Sequence, residues 1–268
     1  MTDVGGRLGA MPAGRWGRSQ RFREVALHLT AREVSARRRF TLLGAAWPVA
    51  RLLAQLGVLL FIFTTVVDLE VESYPVFLFT GLLAWTWFST AVAQGTQSLL
   101  VQRHLLRQPQ CPTTVIPLVA VGVALAEALV ALPVLIAIAA LTDGLGPAAL
   151  ALPLIGAVQL VLLAGLAWLA AAVTVYVRDV RELVAVGLTV LFYASPVFYS
   201  LDDVPDEYRW LLELNPMSTL IEAYRDVLIE RQLPDLGALA LVLAGAAVLT
   251  LAALAVFRRL APGFVDEL

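Results

Sequence analysis

From Ser73 to Gln102 the chain carries no charged side chain. Drawn as a helix at about 1.5 Å per residue, that run is longer than the ~30 Å hydrocarbon core of a bilayer. Water offers such a surface no solvation, so the run is expected to cross a membrane, and the rest of the sequence repeats the pattern. Charge-poor stretches mark a first span at 41–67, interrupted by Arg51, and a second at 74–93 inside the opening run. A third lies at 115–141 and contains Glu127, a fourth at 148–175, a fifth at 183–199 and a sixth at 236–257. Hydrophobic residues make up 60% of the chain and charged ones 15%, with a mean hydropathy of +0.82. Soluble domains average about 45–50% and about 25%, so no water-facing shell can be built here. Six spans with their loops use most of the 268 residues, leaving no room for a separate catalytic domain in water.

Several chemistries are excluded by absence. All 19 Lys-plus-Arg positions are arginine. Without lysine there is no Walker A loop, no Schiff-base chemistry and no catalytic lysine, so the chain is not expected to hydrolyse ATP by itself. Cys111 stands alone and permits no internal disulfide, and His28 and His104 lie too far apart for an HExxH metal site. No catalytic residue, no metal and no cofactor are expected in this chain, and no nucleic-acid partner.

Residues 1–18 are rich in Gly and Arg and lack the apolar core of a signal peptide; they are expected to form a disordered cytoplasmic tail. From 19 to 40, Phe22, Val25, Ala26 and Leu29 recur at helical spacing among arginines. That pattern predicts an amphipathic helix lying in the headgroup plane with its apolar face down, in contact with membrane lipid. Nine arginines precede the first span, and Arg103, Arg107, Arg178, Arg181, Arg258 and Arg259 would share their side. Only Arg209, Arg225 and Arg231 face the other way, so the positive-inside rule puts both termini in the cytoplasm. The last outer segment, 200–234, interleaves Trp210, Leu214, Leu220, Ile221 and Tyr224 with acids. It reads as two short helices broken at Asn215–Pro216, because a residue before proline avoids helical angles. They would return partway into the outer leaflet as a re-entrant pair, with protein burying their backbone. The expected fold is therefore all-α: six transmembrane helices at 41–258, the interfacial helix, the re-entrant pair between the fifth and sixth spans, and a cytoplasmic tail at 259–268. No internal repeat supports an inverted-repeat transporter.

Five stretches resemble the permeases of type-2 ABC exporters that export O-antigen, teichoic acid and capsular polysaccharide. Leu43-Gly44-Ala45-Ala46-Trp47 follows an arginine-rich helix as it does at the opening of that family. YPVFLFTGLLAWTWFSTAV, then QSLLVQRHLLR and CPTTVIPL, look like its second span, cytoplasmic loop and third-span entry. Arg178-Asp179-Val180 with Ser195-Pro196-Val197 matches its fifth-span region. LNPMSTLIEAYRDVL, residues 214–228, resembles its outer Asn-Pro-Met segment with a downstream Tyr-Arg. The chain departs from the pattern at Arg51-Leu52-Leu53, where members often carry Gln-Pro-Leu, and at Cys111-Pro112, where they often carry Phe-Pro. The resemblance implies a homodimer in a bacterial cytoplasmic membrane, bound to two copies of a separate ATPase subunit that holds ATP and Mg. Together they would export a lipid-linked glycan. A drug or lipid exporter of the same architecture is the nearest alternative; a membrane-embedded acyl- or glycosyl-transferase is the alternative of another class.

Candidate residues follow. Trp85, Trp87 and Phe88 lie about 16–21 Å into the second span by helical rise, off the interfacial belt where tryptophans collect. With Phe192, Tyr193, Phe198 and Tyr199 of the fifth span they are candidates for a sugar-facing conduit, or else for packing. The loop residues Arg103, His104, Leu105, Leu106 and Arg107 read as a coupling helix whose leucines plug a groove on the ATPase with arginines at the rim, or else as a plain positive-inside loop. Pro196, Asn215, Pro216 and Arg225 read as an outer gate, or as structural capping with Arg225 paired to Glu222 or Asp226. A lone ionised acid in a span costs a few kcal/mol, so Glu127 is expected to be paired, neutral or facing a wet cavity. Arg51, ~15 Å from the cytoplasmic side against ~18 Å for Glu127, is within reach as its partner.

Overall fold

The structure is a computed structural model and describes residues 18–38, 44–66, 73–106, 111–142 and 144–267. Among these every regular element is helical. In chain order they are α1 (Arg18–Arg38), α2 (Trp47–Phe61), α3 (Tyr74–Val101), the short α4 (Arg103–Leu106), α5 (Val115–Thr142) and α6 (Leu152–Tyr176). Then come α7 (Val180–Tyr193), α8 (Asp206–Glu213), α9 (Pro216–Arg225), α10 (Leu236–Leu260) and α11 (Phe264–Glu267). Prolines mark the starts: Pro48, Pro75, Pro153 and Pro216 sit in first turns, where a missing N–H costs nothing and φ is already helical.

Five helical stretches are long and apolar enough to cross a membrane: Trp47–Thr65, Tyr74–Val101, Val115–Thr142, Pro147–Tyr176 and Leu236–Glu267. The expected fifth span differs. Helix α7 has 14 residues and reaches only about 21 Å, because Pro196 halts it and leaves 194–200 non-helical. The segment still runs along α3: Arg181 borders a cleft with Gln97 at one end, and the Phe198 carbonyl meets the Tyr74 hydroxyl at the other.

Helix α3 is the hub, buried on most sides by α2, α5, α6, α7 and α9. Its closest approach to α6 is at Gly95, where a β-carbon would come within 2.7 Å of the Ala167 methyl. Helix α10 packs along α6 and sends Thr250 Oγ1 to the Val161 carbonyl at 2.8 Å. Phe264 of α11 folds back between Phe257 and Tyr176, so 261–267 forms ordered structure where a plain tail was expected.

Helix α1 forms over almost the expected residues, but protein covers its apolar face. Phe22, Val25 and Leu29 pack on Val115, Val119 and Val123 of α5, and Arg37 Nη1 lies 3.3 Å from Glu127 Oε1. The contacts climb α5 for about 18 Å, so α1 and α5 run side by side. Residues 1–17, 39–43 and 67–72 lie outside the described residues, as do Arg107 and Asp143.

Candidate translocation surface

Where Pro196 breaks α7, the backbone from Ala194 to Tyr199 loses its helical partners. Carbonyls freed among packed apolar helices must find donors within the protein, and three side chains supply them. Tyr74 Oη donates to Phe198 O at 3.2 Å. Asn215 Nδ2 donates to Ser195 Oγ at 2.8 Å and to Ala194 O at 3.4 Å. Arg225 Nη2 donates to Val197 O at 3.1 Å and Nη1 to Tyr199 O at 3.4 Å. Asn215 also caps α9, its Oδ1 accepting the Met217 N–H at 3.0 Å. The Asn-Pro-Met run thus starts one helix and holds the end of another.

Arg225 is 2% exposed. Its Nη1 donates to Glu222 Oε1 at 2.9 Å, and its Cζ lies 3.4 Å from the Phe77 ring centroid, a cation–π contact. A planar fork serves two carbonyls and a carboxylate at once, which an ammonium on a flexible stem does not. The broken segment presses so close to α3 that a β-carbon on Gly81 would stand 2.6 Å from Val197 O. Burial pushes the Arg225 guanidinium down to about 10, with Glu222 opposing the shift, so it stays charged at neutral pH. Burial pushes Glu222 up. Asp226 is pushed up to about 6 by burial first and then by Glu230, Glu222 and Asp235. Pro196, Asn215, Pro216 and Arg225 therefore meet at one place, and the partner of Arg225 is Glu222.

Aromatic rings extend from that clamp toward the middle of α3. Phe63 meets Tyr74 and Phe198 at 6.0 and 5.9 Å, Phe198 meets Phe192 at 5.9 Å, Phe192 meets Trp85 at 5.8 Å and Trp85 meets Phe88 at 5.2 Å. These separations suit tilted and edge-on ring pairs. Trp85 and Phe88 are buried behind the row, while Phe192, Phe198 and Tyr199 are half-buried and Tyr193 is 65% exposed. Trp87 does not join the row; it faces Gly156 on another side of α3. Phe63, Tyr74 and Phe77 belong to the row and its clamp without having been singled out in the sequence; their shared signal is an aromatic side chain near one end of a span.

The other predicted residues separate. Helix α4 forms, but Leu105 and Leu106 are buried in a cluster with Ile116, Phe257 and Phe264 of their own chain. They are not free to plug a groove on a partner; Arg103 and His104 are the exposed residues of α4, and Arg107 lies outside the described residues. Cys111 is half-buried, which raises its thiol pKa. Glu127 pairs with Arg37 and not with Arg51, and Arg51 is exposed with no acidic partner among the described residues. The reason is register. Helix α2 starts at Trp47, so Arg51 stands about 6 Å along it, out of step with Glu127 about 18 Å along α5. Among the described residues no three of His, Cys, Asp and Glu gather to hold a metal.

Residues 24–229, from α1 through the clamp, match the family model described as ABC-2 type transporter. The chain belongs to that family. This ABC-2 type transporter chain is a multi-pass membrane protein. It is 31% identical, over 92% of its length and 96% of the relative's, to the O-antigen export system permease protein RfbA of Myxococcus xanthus. It is 26% identical to a protein of the same name from Klebsiella pneumoniae, over 91% of this chain and 95% of that one. The matched region of this ABC-2 chain holds the whole aromatic row together with the Asn215 and Arg225 clamp.

Proposed function

We propose that this chain is the transmembrane permease of an ATP-driven exporter that carries a lipid-linked cell-surface polysaccharide across the bacterial cytoplasmic membrane. The observation that carries the reading is its similarity, over nine-tenths of its length, to proteins named O-antigen export permeases. The aromatic row agrees with it. A long polar polymer needs a continuous passage with faces for sugar rings, and Tyr193, Phe192, Phe198 and Tyr199 present such faces. Helix α7 buries none of its own side chains, and α2 leaves Leu53, Val58 and Phe61 exposed. A second copy packed on these two helices would close the row into a passage. The 180–198 segment serves as the sixth crossing, so both termini lie on one side, and the arginine bias makes that side the cytoplasm. Two copies of a separate subunit supply ATP, Mg and hydrolysis, docking near Arg103 and His104.

Affinity purification of the tagged chain from its native membrane, with mass spectrometry of what accompanies it, tests the partner. A stoichiometric soluble protein with a Walker A motif is expected; the chain recovered alone from a detergent that preserves such complexes refutes the assembly. For the cargo, a strain lacking the chain should lose its surface polysaccharide, and the wild-type chain should restore it. Tyr193→Ala with Phe198→Ala, at wild-type membrane levels, should not.

A further inference from the structure

A second feature lies on the other side of α3. A cavity of about 390 Å³ opens between α3, α5 and α6, walled by Leu83, Trp87, Leu132 and Leu160 and floored by Tyr224 and Leu228. That volume falls in the range of pockets that hold small ligands. Its α3 wall, Thr80 to Trp87, lies about 9–20 Å from the Tyr74 end, and its α6 wall begins at the first turn. The cavity therefore sits in one leaflet, at the end of the bundle that carries the clamp. Its mouth is formed by Leu129, Pro153 and Ala157, all exposed. A mouth at that depth opens onto hydrocarbon.

The lining offers little to a polar ligand. Thr80 Oγ1 is committed to Val76 O at 2.7 Å and Tyr224 Oη to Gln159 Oε1 at 3.0 Å, while Gln159 Nε2 holds Ala84 O at 2.9 Å. Of the polar side-chain atoms on the lining, only Trp87 Nε1 lacks a partner among the described residues. A sugar or a charged headgroup would lose its hydration there without replacement. A second copy of the chain is also the wrong occupant. The α3 residues of the aromatic row, Tyr74, Trp85 and Phe88, stand about a third of a turn from Thr80, Leu83 and Trp87 at 100° per residue. The exposed apolar helices that suit a second copy, α2 and α7, flank the row.

We propose that this cavity is a lipid site. One acyl chain of a bilayer phospholipid enters between α5 and α6 and fills it, touching Tyr224 and Leu228 and so bracing α9, which carries Arg225. The site depends on the membrane spans and not on the identity of the exported glycan.

Trp87 is a built-in reporter. The full-length protein is reconstituted in vesicles of phosphatidylcholine with chains brominated at mid-length, and in plain vesicles. The Trp87 share of the emission is taken as wild type minus Trp87→Phe. Trp87 is buried within the protein, so bromine reaches it only from inside the cavity. The expected result is loss of most of the Trp87 share in brominated vesicles. Gly156→Leu should protect it, since a β-carbon at 156 already lies 4.0 Å from the Trp87 ring. Ala157→Phe at the exposed mouth is a second block that leaves the packed interior alone. Equal Trp87 emission in the two kinds of vesicle, or quenching untouched by both blocking variants, overturns the proposal.

Discussion

Arg225→Gln tests whether the outer segment is held by one side chain. The change removes the donors to Val197 O and Tyr199 O, the ion pair to Glu222 and the contact over Phe77. Hydrogen bonds from a charged donor are worth about 1.5–3 kcal/mol each, and breaking a buried ion pair by removing one member costs about 3–5 kcal/mol. These overlap in one group and do not add, so the expected loss is about 3–5 kcal/mol. Glu222→Gln leaves the buried Arg225 charge without its carboxylate, but the amide oxygen can still accept from Nη1 and Arg225 keeps both carbonyls. It should therefore cost less than the ~3–5 kcal/mol of a broken buried pair. The double variant should be no less stable than Arg225→Gln alone, since no carboxylate is then stranded. Arg225→Lys should recover little, for want of the fork. Unfolding of the purified full-length protein, measured for all four variants in one lipid nanodisc composition, gives the comparison. An Arg225→Gln protein within about 1 kcal/mol of wild type refutes the clamp. If export is lost at unchanged stability, Arg225 works as a moving gate and not as a fixed support.

Three further outcomes follow from the same geometry. Leu105→Ala and Leu106→Ala should each cost about 2–5 kcal/mol of stability, as for buried leucines elsewhere; Arg103→Ala with His104→Ala should leave melting unchanged and lower recovery of the ATPase, and the reverse pattern would restore the plug reading. Exchanging charges as Arg37→Glu with Glu127→Arg should recover what either single change loses, about 0.2–1 kcal/mol for so exposed a pair, whereas Arg51→Gln should show no coupling to Glu127→Gln in a double-mutant cycle. Asp226 is protonated more readily folded than unfolded, its pKa raised to about 6 by burial and neighbouring acids. Its contribution is therefore present at low pH and lost as pH rises through about 6; Asp226→Asn should flatten that part of the stability–pH curve, and an unchanged curve would show that Asp226 is not its source.

Much of this architecture was legible in the sequence because it depends on one segment and its solvent. Charge-free length marks a span, proline marks a first turn, and Asn215–Pro216 marks a break. Four of the six expected spans became helices long and apolar enough to cross a membrane, close to where hydropathy put them, and a fifth, the first, did so from Trp47. The aromatic residues between 192 and 199 and the residues of the clamp were also visible as types at suggestive places. Gln159, the one amide in the fourth apolar run, was a signal passed over: a polar residue in a span needs a partner, and it ties Tyr224 to α3.

What a segment meets is a different kind of property. Depth counted along the chain paired Glu127 with Arg51, whereas the start of α2 at Trp47 and the course of α1 beside α5 bring Arg37 to it instead. The two leucines of α4 read from the sequence as a plug for a partner's groove, and it is Phe257 and Phe264, far along the chain, that bury them instead. Hydropathy is a sum over one segment against its surroundings and survives without any fold. Pairing depends on which face of a helix is turned to which neighbour, and that is set where helices touch, at points as small as Gly95 on Ala167 and Gly81 on Val197.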